Sequence, residues 1–193
     1  MERATGAPDI HILAFGDSLM AGYGLRSGEG FAPQLEAALR AEGVPATVIN
    51  GGVSGNTAGQ GRARLARTLD GLRRTPDLAI VGLGANDMLR GIPAEQTRAD
   101  LDWILAELAR RGIQSMLAGM LAPPFLGQRY TQAFNSIFPD LAREYGAPLY
   151  PFFLAGVAGD AALNLPDRVH PNAMGIARMV RGILPTVLGA LGR

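Results

Sequence analysis

The sequence predicts an α/β protein built on a mainly parallel sheet. Short, almost continuously apolar runs alternate with longer stretches in which apolar residues recur at helical spacing, the pattern of βαβ units. One run, Leu78-Ala79-Ile80-Val81-Gly82-Leu83, is apolar at nearly every position, as expected of a central parallel strand covered on both faces. Glycine-containing polar clusters follow these runs, where such sheets place their ligands.

Taken in order, Ile10 to Phe15 forms the first strand and stops at Gly16-Asp17. Phe31, Leu35, Ala38 and Leu39 mark a helix ending near Glu42-Gly43. Ala46 to Asn50 is β-branched and ends at Gly51-Gly52, a second strand. A short helix over about Gly61 to Leu72 is closed by Pro76, and the central strand follows. Leu101, Ile104, Leu105 and Leu108 form the buried stripe of a helix from about Pro93 to Arg111. Ile113 to Leu117 is a fourth strand. Phe134, Ile137, Phe138, Leu141 and Tyr145 give another helical stripe, interrupted by Pro139. Pro148 to Phe153 is a short fifth strand. The last helix starts near Asn172, is apolar along Ile176, Val180, Ile183, Leu184, Val187 and Leu188, and is expected to bend at Pro185.

Composition narrows the chemistry. The 193 residues suit one domain over 1–193 with a core of its own, residues 1–9 serving as a flexible leader. There is no cysteine, which removes disulfides, thiol nucleophiles and thiolate zinc sites, and two histidines cannot build a three-histidine metal centre. All 18 basic residues are arginines, so a Walker phosphate loop, a Schiff base and a lysine base are excluded together. A formal charge of +1 with scattered arginines does not make a nucleic-acid groove. No run of 18 apolar residues is present, so no membrane span is expected. Met1 to Asp9 has no signal-peptide core, leaving a cytoplasmic start, or a periplasmic or secreted protein whose signal was trimmed.

Only His11 and His170 can serve as an imidazole base. His11 lies within the first strand and reads as a partly exposed strand residue. His170 lies in Asp167-Arg168-Val169-His170-Pro171-Asn172, where an aspartate three residues earlier is placed to hold Nδ1 and leave Nε2 free as base. The same pair would suit a metal site if further ligands were at hand. Ser18, directly after the first strand, is the nucleophile candidate, with a helix cap as its alternative role. Ser54 is the runner-up, because Gly52-Val53-Ser54-Gly55-Asn56 lacks the final glycine of a hydrolase elbow. Candidate donors for an oxyanion are the Ser18 and Gly55 N–H groups and the Asn86 amide, with a turn role as the alternative for Gly55 and Asn86.

Four blocks then carry a family resemblance: Phe15-Gly16-Asp17-Ser18-Leu19, Asn50 to Thr57, Gly82-Leu83-Gly84-Ala85-Asn86-Asp87, and Asp167 to Asn172, in that order. The chain resembles the SGNH hydrolases, or GDSL esterases and lipases, of the single-domain bacterial thioesterase/lysophospholipase/arylesterase type. That resemblance implies Ser18 as nucleophile, His170 as base and then acid, Asp167 as its orienting group, and Ser18, Gly55 and Asn86 as the oxyanion hole. It also implies a three-layer α/β/α fold with a flavodoxin-like five-stranded sheet and no cofactor. Ala85 stands where many relatives have a second glycine, and Met88 where a small residue is frequent, which reshapes the acyl groove.

The expected activity is hydrolysis of carboxylic esters and thioesters with short to medium acyl or aryl groups. A carbohydrate deacetylase or acyltransferase with the same triad and a non-catalytic binding module are the alternatives. Met88, Pro123, Pro124, Phe125 and Val169 are the expected substrate contacts, with Pro93 to Gln96 and Phe152 to Val157 as further walls. The expected partner is a small ester or thioester; no metal site and no nucleic acid are expected.

Overall fold

The computed structural model describes residues 9–193; apart from Asp9, the expected leader lies outside the described residues. Five parallel strands, β1 (Ile10–Gly16), β2 (Ala46–Gly52), β3 (Leu78–Gly82), β4 (Gln114–Ala118) and β5 (Leu149–Tyr150), form one sheet in the order β2-β1-β3-β4-β5. Helices α1 (Ser18–Ala21), α2 (Phe31–Ala41), α3 (Ala58–Asp70), α4 (Ala85–Leu89), α5 (Ala94–Arg110), α6 (Gln128–Tyr145) and α7 (Ala173–Ala190) complete a three-layer α/β/α fold. Helices α2 and α7 pack together, as do α3, α5 and α6 in succession. The chain turns to one side of β1 for β2 and to the other for β3, so the crevice between β1 and β3 is where the fold itself favours a ligand.

The strands are as apolar as their sequence demands: β3 is buried along its whole length, and Leu13 of β1 and Ile80 of β3 are fully enclosed. Thr57 caps α3 by accepting the Gln60 N–H, while the Gln60 side chain accepts the Thr57 N–H, so the helix begins three residues before the expected Gly61. Strand β5 is shorter than expected, with only Leu149 and Tyr150 in register opposite Leu117 and Ala118. Pro151 has no N–H to continue the ladder. Neither Pro139 nor Pro185 ends its helix, and both are exposed residues, so neither ring is driven into the core.

Among the described residues, α7 is the one helix long and apolar enough to cross a membrane. Here it is a core helix, burying Ile176, Met179, Val180, Ile183 and Val187. Close approach brings α1 against the sheet edge. A Cβ on Gly52, the last residue of β2, would lie 2.2 Å from the Ala21 nitrogen and 2.6 Å from the Met20 carbonyl carbon. Only a glycine there lets the short helix that begins at Ser18 rest on the strand end.

Candidate active site

Ser18 is the first residue of α1, and the capping is done by its neighbour: Asp17 accepts the Leu19 N–H through Oδ1 at 3.0 Å. The Ser18 hydroxyl is therefore free for another partner. It lies 3.0 Å from Nε2 of His170, although 152 positions separate the two residues. Nδ1 of His170 lies 2.6 Å from Oδ2 of Asp167, and the other Asp167 oxygen accepts the N–H groups of Val169 and His170 at 2.9 and 3.0 Å. Those two backbone donors, with the imidazole, hold the Asp167 carboxyl down to about 2. It is a carboxylate across the working pH range.

The His170 turn is fixed from both ends. Leu165 N–H donates to the His170 carbonyl and Asn172 N–H to that of Leu163, closing a small antiparallel pairing ahead of α7. Asn172 then caps α7 by accepting the Gly175 N–H at 3.0 Å. Arg168 is the only described non-glycine residue at positive φ (59°), a cost concentrated in the turn that carries the aspartate and histidine. The Tyr23 ring packs against the imidazole with centroids 4.3 Å apart.

On the other side of Ser18 stand the oxyanion candidates. Gly55 adopts φ +81° in the turn after β2, closed by the Asn56 N–H on the Val53 carbonyl. Asn86, on α4 after β3, donates through Nδ2 to the Asn56 carbonyl at 3.0 Å and, over a longer 3.4 Å, to Oδ2 of Asp17. Asp17 is buried, and that burial pushes its carboxyl up to about 6. Asp87, also buried, anchors α4 by accepting from the Ala58 N–H and the Thr97 hydroxyl.

The residues read from the sequence thus divide. Ser18, His170, Asp167, Gly55 and Asn86 gather on the carboxyl edge of the sheet. His11 does not join them; it stays in β1 with Nε2 3.3 Å from Asp9. Ser54 lies exposed on the Gly55 turn, while both imidazoles have other partners. Val169 is exposed beside His170, and Met88 is half-buried against the core. Of the other expected substrate contacts, Phe125 projects into solvent (85% exposed), with Pro123 and Pro124 leading into it. A cavity of about 520 Å³ opens just beyond, lined by Pro93, Ala94, Leu126, Gly127, Tyr130 and Ala133. Along the other expected wall, Phe153 is buried edge-on against Phe31 and Val157 is fully buried, while Phe152, Leu154 and Ala155 are half-buried and Gly156 is exposed. The site also contains Tyr23, the Asp17–Asn86 contact and Arg64, whose guanidinium touches both loops of the site. No motif marks them, since a lone tyrosine in a glycine-rich loop and an arginine on an amphipathic helix look like solvated surface. Among the described residues, no group of three or more His, Asp or Glu side chains is placed to hold a metal ion.

The chain is similar to known proteins in sequence and in fold. A model of the GDSL-like lipase/acylhydrolase family matches residues 14–178. The chain is 38% identical to an arylesterase of Vibrio mimicus over 161 residues, covering 83% of this chain and 80% of that one. It is 33% identical to esterase TesA of Pseudomonas aeruginosa over 176 residues, 91% of this chain and 87% of that one. Among solved structures, AlinE4, an SGNH-hydrolase family esterase, superposes with a TM-score of 0.81 at 48% identity, over 96% of this chain and 98% of that one. By sequence and by fold, this chain belongs to the GDSL-like lipase/acylhydrolase family.

Proposed function

We propose that the protein hydrolyses carboxylic esters and thioesters with short to medium acyl or aryl groups, through an acyl-enzyme on Ser18. The observation that carries this reading is the pair of contacts in line, Asp167 to His170 at 2.6 Å and His170 to Ser18 at 3.0 Å. Asp167 fixes the imidazole with its proton on Nδ1, so Nε2 accepts the Ser18 proton as Oγ attacks the carbonyl carbon. The resulting oxyanion is received by the N–H groups of Ser18 and Gly55 and by the Asn86 amide. The first N–H of a helix has no intrahelical acceptor, which leaves that of Ser18 available. Asn86 keeps its 3.0 Å bond to Asn56 and exchanges the longer one to Asp17 for the oxyanion. Protonated Nε2 then gives its proton to the departing alcohol or thiol. A water loses a proton to Nε2 and attacks the acyl carbon, the proton returns to Oγ, and the free acid leaves.

The family membership, the Vibrio arylesterase and the Pseudomonas esterase support this substrate class. The cavity beyond α4 is of a size suited to a small acyl or aryl group, and its Pro93–Glu95 wall begins four residues after the end of the helix that carries Asn86. Turnover of p-nitrophenyl butyrate and of a butyryl thioester by wild type and Ser18→Ala tests the proposal. The variant should fold normally and lose several orders of magnitude in kcat; unchanged turnover would overturn it.

A further inference from the structure

Arg64 lies on α3, outside the four sequence blocks, and its surroundings are unusual for an arginine. It is half-buried, and that loss of water pushes its pKa down. Among the described residues no carboxylate pairs with it; every hydrogen bond it makes goes to a neutral oxygen. Nε donates to the Asn56 side-chain oxygen at 2.6 Å, and Nη2 donates to the Gly16 carbonyl at 2.8 Å. The guanidinium also stacks on the Phe15 ring, its carbon 4.1 Å from the centroid. Desolvating a cation without a counter-ion is costly, so the contacts made in return matter.

Those contacts join the two loops that must hold a fixed distance. Gly16 precedes Ser18 by two residues, and its carbonyl also receives the Val53 N–H at 3.0 Å. Asn56 follows Gly55, and its own carbonyl receives the Asn86 amide at 3.0 Å. From the outer side, Arg90 donates to the Gly55 carbonyl at 2.7 Å. The Gly55–Asn56 turn is thus gripped by a guanidinium on each side, and the inner one is tied to the strand end that leads into the nucleophile.

We infer that Arg64 is a positioning residue for the oxyanion hole, its rigid fork setting the spacing between the Ser18 loop and the Gly55–Asn56 turn and, through Asn56, the aim of the Asn86 amide. The inference rests on the proposed roles of Ser18, Gly55 and Asn86. A planar guanidinium directs two N–H groups to two acceptors at once, which a lysine ammonium on a flexible stem does not reproduce.

The test compares Arg64→Ala, Arg64→Lys, Asn56→Ala and Arg67→Ala with wild type for kcat and KM on p-nitrophenyl butyrate. Arg67, exposed on the same helix, is the control. Rates are normalised to the active sites titrated by diethyl p-nitrophenyl phosphate. A displacement of donors by a fraction of an ångström to one ångström should lower kcat about tenfold to a hundredfold in Arg64→Ala. KM should change little, Arg64→Lys should recover only a small part, and Arg67→Ala should match wild type. Guanidinium ion at low millimolar concentration should raise the rate of Arg64→Ala and leave wild type unaffected. An Arg64→Ala enzyme with wild-type kcat per active site, or full recovery in Arg64→Lys, overturns the inference. If Arg64→Ala does not fold, Asn56→Ala, which leaves Arg64 on Gly16 and Phe15, carries the test: a kcat loss of similar size is expected, and an unchanged kcat overturns it. Failure of the active-site reading looks different, because titration of wild type would then not abolish turnover.

Discussion

Asp167→Asn is the perturbation whose consequence follows most directly from the geometry. One carboxylate oxygen receives two backbone N–H groups, of Val169 and His170, and the other receives the imidazole. An asparagine has one oxygen to offer. Turning its NH₂ toward the backbone would leave two donors unpaired, at about 1–3 kcal/mol each. The oxygen therefore stays with the backbone, and the NH₂ faces Nδ1. Nδ1 must then be the acceptor, which moves the ring proton to Nε2, facing Ser18, and removes the base. A wrong tautomer in such a triad costs about 10⁴ in kcat, or about 5 kcal/mol of barrier. The turn keeps its backbone hydrogen bonds, so Tm at neutral pH should barely move. Stopped-flow or steady-state assay with p-nitrophenyl butyrate, beside a melting curve, reads both quantities. A kcat within tenfold of wild type would refute the reasoning, as would a kcat loss explained by unfolding.

Other outcomes follow from the same structure. Because burial lifts Asp17 from 3.8 to about 6, the folded state holds that proton to higher pH than the unfolded chain. The stability so contributed is full below 3.8 and lost as pH rises through about 6, an effect on the order of 3 kcal/mol. Asp17→Asn cannot titrate, so its Tm relative to wild type should climb across that interval; a constant difference would contradict the assignment. Gly52→Ala places a methyl 2.2 Å from the Ala21 nitrogen, so it should lower both stability and turnover by displacing α1, and calorimetry with kinetics would show a normal enzyme if the contact were slack. Thr57→Ala removes the capping box of α3 and should cost about 1 kcal/mol in urea unfolding, with Thr57→Ser recovering most of it. In a series of p-nitrophenyl esters, kcat/KM should peak at short to medium chains; a maximum at palmitate would rule out the roughly 520 Å³ cavity as the acyl site.

How much of this could be read beforehand depended on how many residues carry each signal. Strand β3 and helix α5 announce themselves through long apolar patterns, and the structure places them within a residue or two of expectation. Helices α1 and α4, four and five residues long, are too short to show a period, yet they carry Ser18 and Asn86. Their positions were legible only as motifs at strand ends. The early start of α3 was written in Thr57 and Gln60, a capping pair masked by the glycines around it. The truncation of β5 follows from Pro151, whereas the apolar Phe152-Phe153 pair pointed to a longer strand because residues of the core and of a strand look alike over so short a run.

The candidate triad and the candidate oxyanion donors were legible because each belongs to a block with a fixed chemical reason. Arg64 and Tyr23 were not, because their roles depend on which loops the fold brings to them. The loop expected to contact substrate shows the same dependence on the fold. Leu126 and Gly127 line the cavity while Phe125, one residue earlier, points into water, and side-chain direction in a loop follows the backbone turn rather than the hydropathy.

The central claim, that Ser18 is the atom acylated, is tested most directly by incubating the native protein with a fluorophosphonate and mapping the adduct by tandem mass spectrometry. The account predicts one modified residue, Ser18, with loss of esterase activity in proportion to labelling and no adduct in Ser18→Ala. An adduct on Ser54, or full activity in protein stoichiometrically labelled elsewhere, would contradict it.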